Sequence, residues 1–161
     1  MIVTGTVNDT KTLQAANGYH CLQAARLIRK GDVILELRGT VNAERTRYSI
    51  QVSKDRHIES DYSPDKHSYP EAQWRFMNHS CKPNAYLRFP SLELVALADI
   101  AEGEEIFYNY LSTEYELISP FECNCGKKEC YGMISGYKYL NDAQRRRLAH
   151  ITAPHLRTAK S

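Results

Sequence analysis

Long apolar runs are missing from this chain of 161 residues, and so is an N-terminal pattern of basic residues followed by an apolar stretch. A membrane-spanning helix needs about 18 or more consecutive apolar residues. A secretory signal needs the basic-then-apolar order. We therefore expect an intracellular protein, in the cytoplasm or the nucleus, without membrane contact.

An excess of one charge is also missing. The chain has 21 Lys and Arg against 19 Asp and Glu, a formal net charge of +2, which is too small to indicate a nucleic-acid partner. The segment "QRRRLAH" (144–150) has three consecutive arginines, but on a helix they point in different directions and form a solvated surface. We do not expect direct nucleic-acid binding from this protein.

Apolar residues occur mostly in short runs, which predicts short strands. "YSIQVS" (48–53) places Tyr48, Ile50 and Val52 on one face of a strand and polar residues on the other. Two segments look helical: 68–79, with Pro70 in its first turn, and about 142–150, opened by Asn141 or Asp142. Many short strands and few helices indicate an α+β, β-rich fold.

Cysteine is scarce, but its spacing is informative. Three of the five cysteines, Cys123, Cys125 and Cys130, form a C-x-C-x4-C pattern in "CNCGKKEC". Thiolates so closely spaced can converge on one tetrahedral zinc ion, with Cys81 or a histidine as the fourth ligand. A disulfide among the three is the alternative, which a reducing compartment disfavours. Cys21, in an apolar stretch, is expected in the core.

Three motifs carry a resemblance to a known family: "RFMNHSCKPN" (75–84), "AEGEEIFYNY" (101–110) and "CNCGKKEC" (123–130). In this order they resemble the SET-domain protein-lysine methyltransferases with a C-terminal post-SET segment. The resemblance covers residues 15–135. It implies a fold of short curved sheets with a knot-like C-terminal crossing and a zinc-bound post-SET lid. The SET domain would span 1–118, the post-SET segment 119–137 and a helical tail 138–161.

The resemblance also implies two binding sites. Cys81 would join the other three cysteines as the fourth ligand of a structural Zn²⁺, which would hold the post-SET segment over the active site. Asn78 and His79 would bind S-adenosylmethionine, the methyl donor. The remaining residues expected to bind this cofactor are Gly18, Tyr19, His20, Tyr48, Arg75 and Phe121.

Two of these assignments have plain alternatives, and two positions depart from the family pattern. Tyr48 and Phe121 are equally compatible with core packing. His20 stands where the family has the second glycine of Gly-x-Gly. Leu37 stands where many members have a tyrosine that lines the channel for the substrate lysine.

For catalysis, the resemblance assigns Tyr110 to the position of the catalytic tyrosine. The lysine amine must be neutral to attack, although its reference pKa is about 10.4. An apolar channel beside a sulfonium cation favours loss of that proton, so no carboxylate base is required. Tyr108 occupies a position that is Phe or Tyr in the family, and a tyrosine there favours mono- or dimethylation over trimethylation.

The predicted function is S-adenosylmethionine-dependent N-methylation of a lysine in a histone or another basic protein. Exposed acids could flank a groove for such a basic peptide: Glu59, Asp61, Glu114 and Glu116. The alternative is a catalytically weak SET-like module that binds a protein partner through its zinc lid. His20 and Leu37 favour the alternative, whereas Tyr110, Asn78 and His79 favour the enzyme.

Overall fold

The computed structural model describes residues 2–7, 9–62 and 70–158, and short strands predominate in these ranges. The strands are β1 (Ile2–Val7), β2 (Thr10–Gln14), β3 (His20–Ala24), β4 (Val33–Glu36), β5 (Thr40–Asn42), β6 (Ile50–Ser53), β7 (Arg56–Glu59), β8 (Asn78–His79), β9 (Ala85–Arg88), β10 (Glu93–Ala96), β11 (Phe107–Tyr108), β12 (Phe121–Glu122) and β13 (Met133–Ile134). The helices are the 3₁₀ turns Pro70–Phe76, Tyr110–Ser112 and Tyr137–Tyr139 and the α-helices α1 (Asp142–Leu148) and α2 (Pro154–Arg157). The predicted β-rich α+β class is confirmed.

Three small antiparallel sheets enclose the main core. Their strand orders are β1-β2-β3, β4-β10-β9 and β5-β7-β6. Each sheet directs apolar side chains inward, and the 3₁₀ turn Pro70–Phe76 adds the indole of Trp74, which is 1% exposed. Burial of this apolar surface is the main force that holds such short strands together. Cys21 is fully buried here, as expected.

The strand predicted at 48–53 is shorter than expected, and its buried side chains do not follow the alternation of apolar and polar residues. It begins at Ile50, and Tyr48 lies outside it with 44% of its surface exposed. Gln51, expected on the polar face, is buried. Its amide nitrogen donates to the Ser53 and Lys54 carbonyls, and its oxygen accepts from the Tyr115 N–H. A polar side chain is tolerated inside a protein when its hydrogen bonds are made.

The helix predicted at 68–79 is a 3₁₀ turn that ends earlier, and Ser68 lies outside the described residues. Asn78 and His79 form β8 instead, which pairs in parallel with Phe107 and Tyr108 of β11. Pairing with a strand that is distant in sequence overrides the local helical preference here. As a result, the Asn-His pair lies directly beside the segment that leads to Tyr110.

The C-terminal residues pack against Cys81, Leu111 and Ile134 and form a second core. Helix α1 begins at the predicted place, with Asn141 and Gln144 in a reciprocal capping box. The buried members of this core are Cys81, Leu111, Ile134, Tyr137, Leu140, Leu148, Ile151, Ala153 and Leu156. Among the described residues, no helix combines the length and the apolar character needed to cross a membrane.

Candidate functional site: a cleft between the sheets and the cysteine cluster

One cleft of about 970 Å³ lies between the main core and the cysteine-rich segment. Residues that are far apart in the sequence line it together. They include every residue predicted to bind a cofactor or to catalyse: Gly18, Tyr19, His20, Tyr48, Arg75, Asn78, His79, Tyr108, Tyr110 and Phe121. Cys123 and Cys125 also line the cleft, so the cysteine cluster forms part of its wall.

Asn78 is held by hydrogen bonds to three groups. Its Nδ2 lies 2.8 Å from the His20 carbonyl oxygen and 2.9 Å from both Tyr19 Oη and Glu105 Oε1, and its two N–H groups are shared among these three acceptors. Tyr19 Oη in turn donates to Glu105 Oε1 over 2.8 Å. Burial, and then the Glu105 carboxylate, raise the pKa of the Tyr19 phenol. The network holds the Asn78 side chain in one orientation at the wall of the cleft.

The segment Gly18–His20 tolerates a histidine at position 20, where the family pattern has its second glycine. Gly18 has φ = +83°, a conformation that favours glycine. His20 does not need this freedom, because Leu92 is the single non-glycine residue with positive φ in the described ranges. The His20 ring stacks on Phe76 with 4.8 Å between centroids, and its Nδ1 lies 2.9 Å from the Gly18 carbonyl oxygen. The imidazole therefore closes one side of the cleft without distorting the strand.

Both ring nitrogens of His79 have partners within the protein. Nδ1 accepts from the Tyr110 backbone N–H at 3.1 Å, so the proton is on Nε2, which points at Cys81 Sγ over 3.3 Å. Burial lowers the pKa of His79 to about 4, which keeps the ring neutral. Any ligand contact made by His79 must therefore use its backbone. Its ring packs edge-on against Tyr110 and Phe121 and links the cleft to the cysteines.

Tyr108 and Tyr110 lie side by side, with ring centroids 4.8 Å apart. The Tyr110 hydroxyl donates to the Met77 carbonyl oxygen over 2.7 Å, which leaves its oxygen lone pairs free to accept. Burial raises the pKa of both phenols above their ordinary value, and the nearby Glu114 raises them further. Both tyrosines are therefore neutral hydroxyl groups at physiological pH.

Arg75 and Tyr48 form another wall of the cleft. The Arg75 guanidinium lies 4.0 Å from the centre of the Tyr48 ring and 5.0 Å from that of Tyr62, and it pairs with Glu59 at 3.3 Å. A guanidinium over an aromatic face is favourable. Tyr48 is consequently a partly exposed wall residue and not a core residue.

The four predicted zinc ligands converge at one point. Their sulfur atoms all lie within 4.8 Å of one another, and none is in a disulfide. Cys81 Sγ lies 3.6 Å from Cys123 Sγ and 3.8 Å from Cys130 Sγ. Four thiolates at the usual Zn–S distance of about 2.3 Å around a tetrahedral ion would be about 3.8 Å apart. The Tyr131 N–H donates to Cys81 Sγ and the Gly132 N–H to Cys130 Sγ, as suits thiolate ligands. This donor set fits Zn²⁺.

A comparison with known families agrees with this geometry. The profile of the SET domain matches residues 20–111, which is more than half of the chain. The chain belongs to the SET-domain family. The match begins at β3 and ends just after Tyr110, so it contains most of the cleft walls and stops before the cysteine cluster.

Curated relatives agree with this family. A Cryptococcus neoformans protein named histone-lysine N-methyltransferase, H3 lysine-36 specific, is 33% identical over 143 residues, covering 80% of this chain and 17% of that protein. Arabidopsis thaliana ASHR3, a histone-lysine N-methyltransferase, is 26% identical over 87% of this chain and 33% of its own length. The chain spans 5% to 35% of the length of the first curated relatives that it matches.

The fold is shared with solved SET methyltransferases. KRYPTONITE, in a complex with mCHG DNA and SAH, has a TM-score of 0.56 and 21% identity and covers 74% of this chain and 27% of its own. A second complex of KRYPTONITE, with mCHH DNA, an H3(1-15) peptide and SAH, gives the same TM-score at 20% identity, over 76% of this chain and 28% of its own. The methyltransferase domain of human SETMAR has a TM-score of 0.53, 21% identity and coverage of 76% and 56%.

Two residues of this SET domain differ from the expectations of the sequence. Leu37, expected in the lysine channel, is 3% exposed, packs in the main core and does not line the cleft. Glu114, expected as an exposed acid, is buried and lines the cleft. Only its position four residues after Tyr110 could have indicated this, because the turn Tyr110–Ser112 keeps the two residues close: the Glu114 N–H donates to the Tyr110 carbonyl oxygen over 2.9 Å.

Proposed function

We propose that this SET domain is an S-adenosylmethionine-dependent protein-lysine N-methyltransferase. The observation that carries the proposal is the single cleft, which brings Tyr110 and Tyr108 together with all eight residues expected at the cofactor. Relatives named histone-lysine N-methyltransferases support this activity. KRYPTONITE, solved with SAH and with an H3 peptide, supports the class of ligands.

The cofactor would lie against the walls that Asn78, Tyr19 and Arg75 form. When bound, it supplies a methyl group on a sulfonium sulfur, which an amine can displace. The residues of the chain supply orientation: the hydrogen bonds from Asn78 to His20 and Glu105 hold its side chain in place before any ligand arrives. Preorganisation of this kind reduces the entropic cost of binding. Phe121, 6.0 Å from Tyr110 between ring centroids, would exclude water from the reacting atoms.

Tyr110 would orient the reacting methyl group. Because its proton is donated to the Met77 carbonyl oxygen, the phenolic oxygen faces the cleft as an acceptor for weak C–H···O contacts. Tyr108, which is 5% exposed, would limit the space around the lysine nitrogen. We infer that the product is mono- or dimethyl-lysine, and that the substrate is a histone or another basic protein.

We also infer a structural role for Zn²⁺, bound by Cys81, Cys123, Cys125 and Cys130. The ion would connect Cys81, which follows β8, to the segment that carries Phe121. Formation of the lid over the cleft would thus be coupled to metal binding, since the ligands do not converge in an unfolded chain.

The test is methyl transfer from labelled S-adenosylmethionine to a panel of histones and other basic proteins, with mass spectrometry of the labelled lysine. Wild-type protein and Tyr86→Phe, which removes a hydroxyl outside the cleft, should transfer label. Tyr110→Phe should lose about 10²-fold or more of the rate, because it loses an oriented acceptor at the transition state. Equal rates for Tyr110→Phe and Tyr86→Phe would refute this role. Cofactor binding without transfer by the wild type would favour the alternative of a weak SET-like binding module.

A further inference from the structure

Glu114 is a buried acid whose charge is not paired. It is 8% exposed and it lines the cleft that contains Tyr108 and Tyr110. Its Oε1 accepts from the Gln51 backbone N–H at 2.8 Å and from Thr113 Oγ1 at 3.1 Å. Within the described ranges, its Oε2 accepts no hydrogen bond and the carboxyl takes part in no ion pair.

An unpaired buried carboxylate is costly, because burial removes the water that stabilises its charge. Gln51 and Thr113 offset only part of this cost, and burial raises the pKa of Glu114 to about 7. A structural role would be better served by a neutral amide or an apolar side chain. A carboxyl group in a cleft, with one oxygen that accepts no hydrogen bond, can bind a cationic group of a ligand or accept a proton from it.

Other charged and titratable groups lie around Glu114, and of these Arg47, Tyr108 and Tyr110 line the cleft. Arg45 contributes positive charge, and the phenols of Tyr108 and Tyr110 are neutral. His57 pairs with Gln51 across the sheet, and the His155 Nε2 lies 2.8 Å from the Thr113 carbonyl oxygen. Burial lowers the pKa of both histidines, so they are neutral above pH 7. Among the described residues that line the cleft, Glu114 is the only carboxylic acid.

We propose that the Glu114 carboxylate receives the ammonium group of the substrate lysine and removes its proton before methyl transfer. The proposal rests on the methyltransferase function proposed above. In the first step an N–H bond breaks and an O–H bond forms on Glu114, which leaves a neutral amine. In the second step, the amine lone pair forms the N–CH₃ bond while the S–CH₃ bond breaks and its electron pair stays on sulfur. Glu114 then returns its proton to water.

Glu114 would thus complement the aromatic walls. Desolvation alone lowers the pKa of a lysine, but it also opposes entry of the charged form into the cleft. A carboxylate at the same place attracts the charged lysine and accepts its proton there. General bases positioned in this way contribute about 10²- to 10⁴-fold in rate.

The test compares wild type, Glu114→Gln and Glu114→Asp over pH 7 to 9.5, with kcat and KM measured separately for peptide and for cofactor. At pH 7, Glu114→Gln should lose about 10²- to 10⁴-fold in kcat with unchanged cofactor affinity. This deficit should shrink as the pH rises, because the fraction of neutral lysine in solution grows about tenfold per pH unit below its pKa of about 10.4. Glu114→Asp should recover part of the rate, since it keeps a carboxylate.

Three outcomes would overturn the proposal. A Glu114→Gln deficit that is equal at every pH would indicate a structural role. A wild-type rate in Glu114→Gln at pH 7 would show that no base is needed. No transfer by the wild-type protein to any substrate would overturn the proposed function and this proposal together. The first two results would overturn only the role of Glu114. If Glu114→Gln does not fold, Glu114→Asp decides alone: a loss of rate by the same factor at every pH would refute the role.

Discussion

Replacing Leu156 by alanine should weaken the proposed zinc site, although Leu156 is not one of its ligands. Leu156 lies in α2, is 1% exposed and belongs to the second core together with Cys81, Leu111 and Ile134. Truncation of a buried leucine leaves a cavity and costs about 2 to 5 kcal/mol. A domain of this size is stable by about 5 to 15 kcal/mol, so the loss is a large fraction. At about 2 to 4 °C per kcal/mol, Tm should fall by roughly 4 to 20 °C.

The same change should release zinc faster, because Cys81 and Ile134 pack in the core that Leu156 fills. The assays are urea unfolding of the zinc-loaded protein and the rate at which a coloured chelator removes zinc. Leu27→Ala is the matched control: it is the same substitution at a leucine that is 41% exposed, where the expected change is within about 0.5 kcal/mol. Equal stability and equal zinc release in the two variants would refute the view that the C-terminal residues hold the metal site.

The remaining predictions concern the metal and the product. Cys81→Ser should bind less than one zinc ion per chain, as measured by elemental mass spectrometry. It should also lose cofactor affinity, because Phe121 would no longer be held over the cleft. The control is Cys21→Ser, at a buried cysteine outside the cluster, which should keep its zinc. Tyr108→Phe should shift the product toward more highly methylated lysine in mass spectra, because it removes a hydroxyl from the lysine site, and an unchanged distribution would contradict this role for Tyr108.

Several features of this protein follow from local sequence alone. Asn141 begins α1 because its side chain caps the Gln144 N–H three residues later, an interaction within one turn of chain. The close spacing of Cys123, Cys125 and Cys130 predicts a shared ligand site for the same reason. The three SET motifs, which identify the family, are likewise readable as short contiguous segments.

Other features depend on residues that the sequence does not place next to one another. The buried state of Gln51 depends on Tyr115, 64 residues later in the chain, whose N–H donates to the Gln51 amide oxygen. Asn78 and His79 form a strand and not the predicted helix, because they pair with β11. Two of the three arginines of "QRRRLAH" contact the protein itself. Arg147 lies 4.1 Å from the Tyr131 ring and donates to the Glu129 carbonyl oxygen, and Arg145 donates to the Lys138 carbonyl oxygen.

The sequence by itself identified the family through its motifs, and it predicted the four clustered cysteines and ten of the residues that line the cleft. Only the tertiary structure decided that Leu37 is a core residue, that Glu114 faces the cleft and that the C-terminal helices support the cysteines. The physical reason is that burial depends on what packs against a residue from distant parts of the chain. Residue type and local periodicity predict a preference for burial, but the packing of the two cores determines which side chains achieve it.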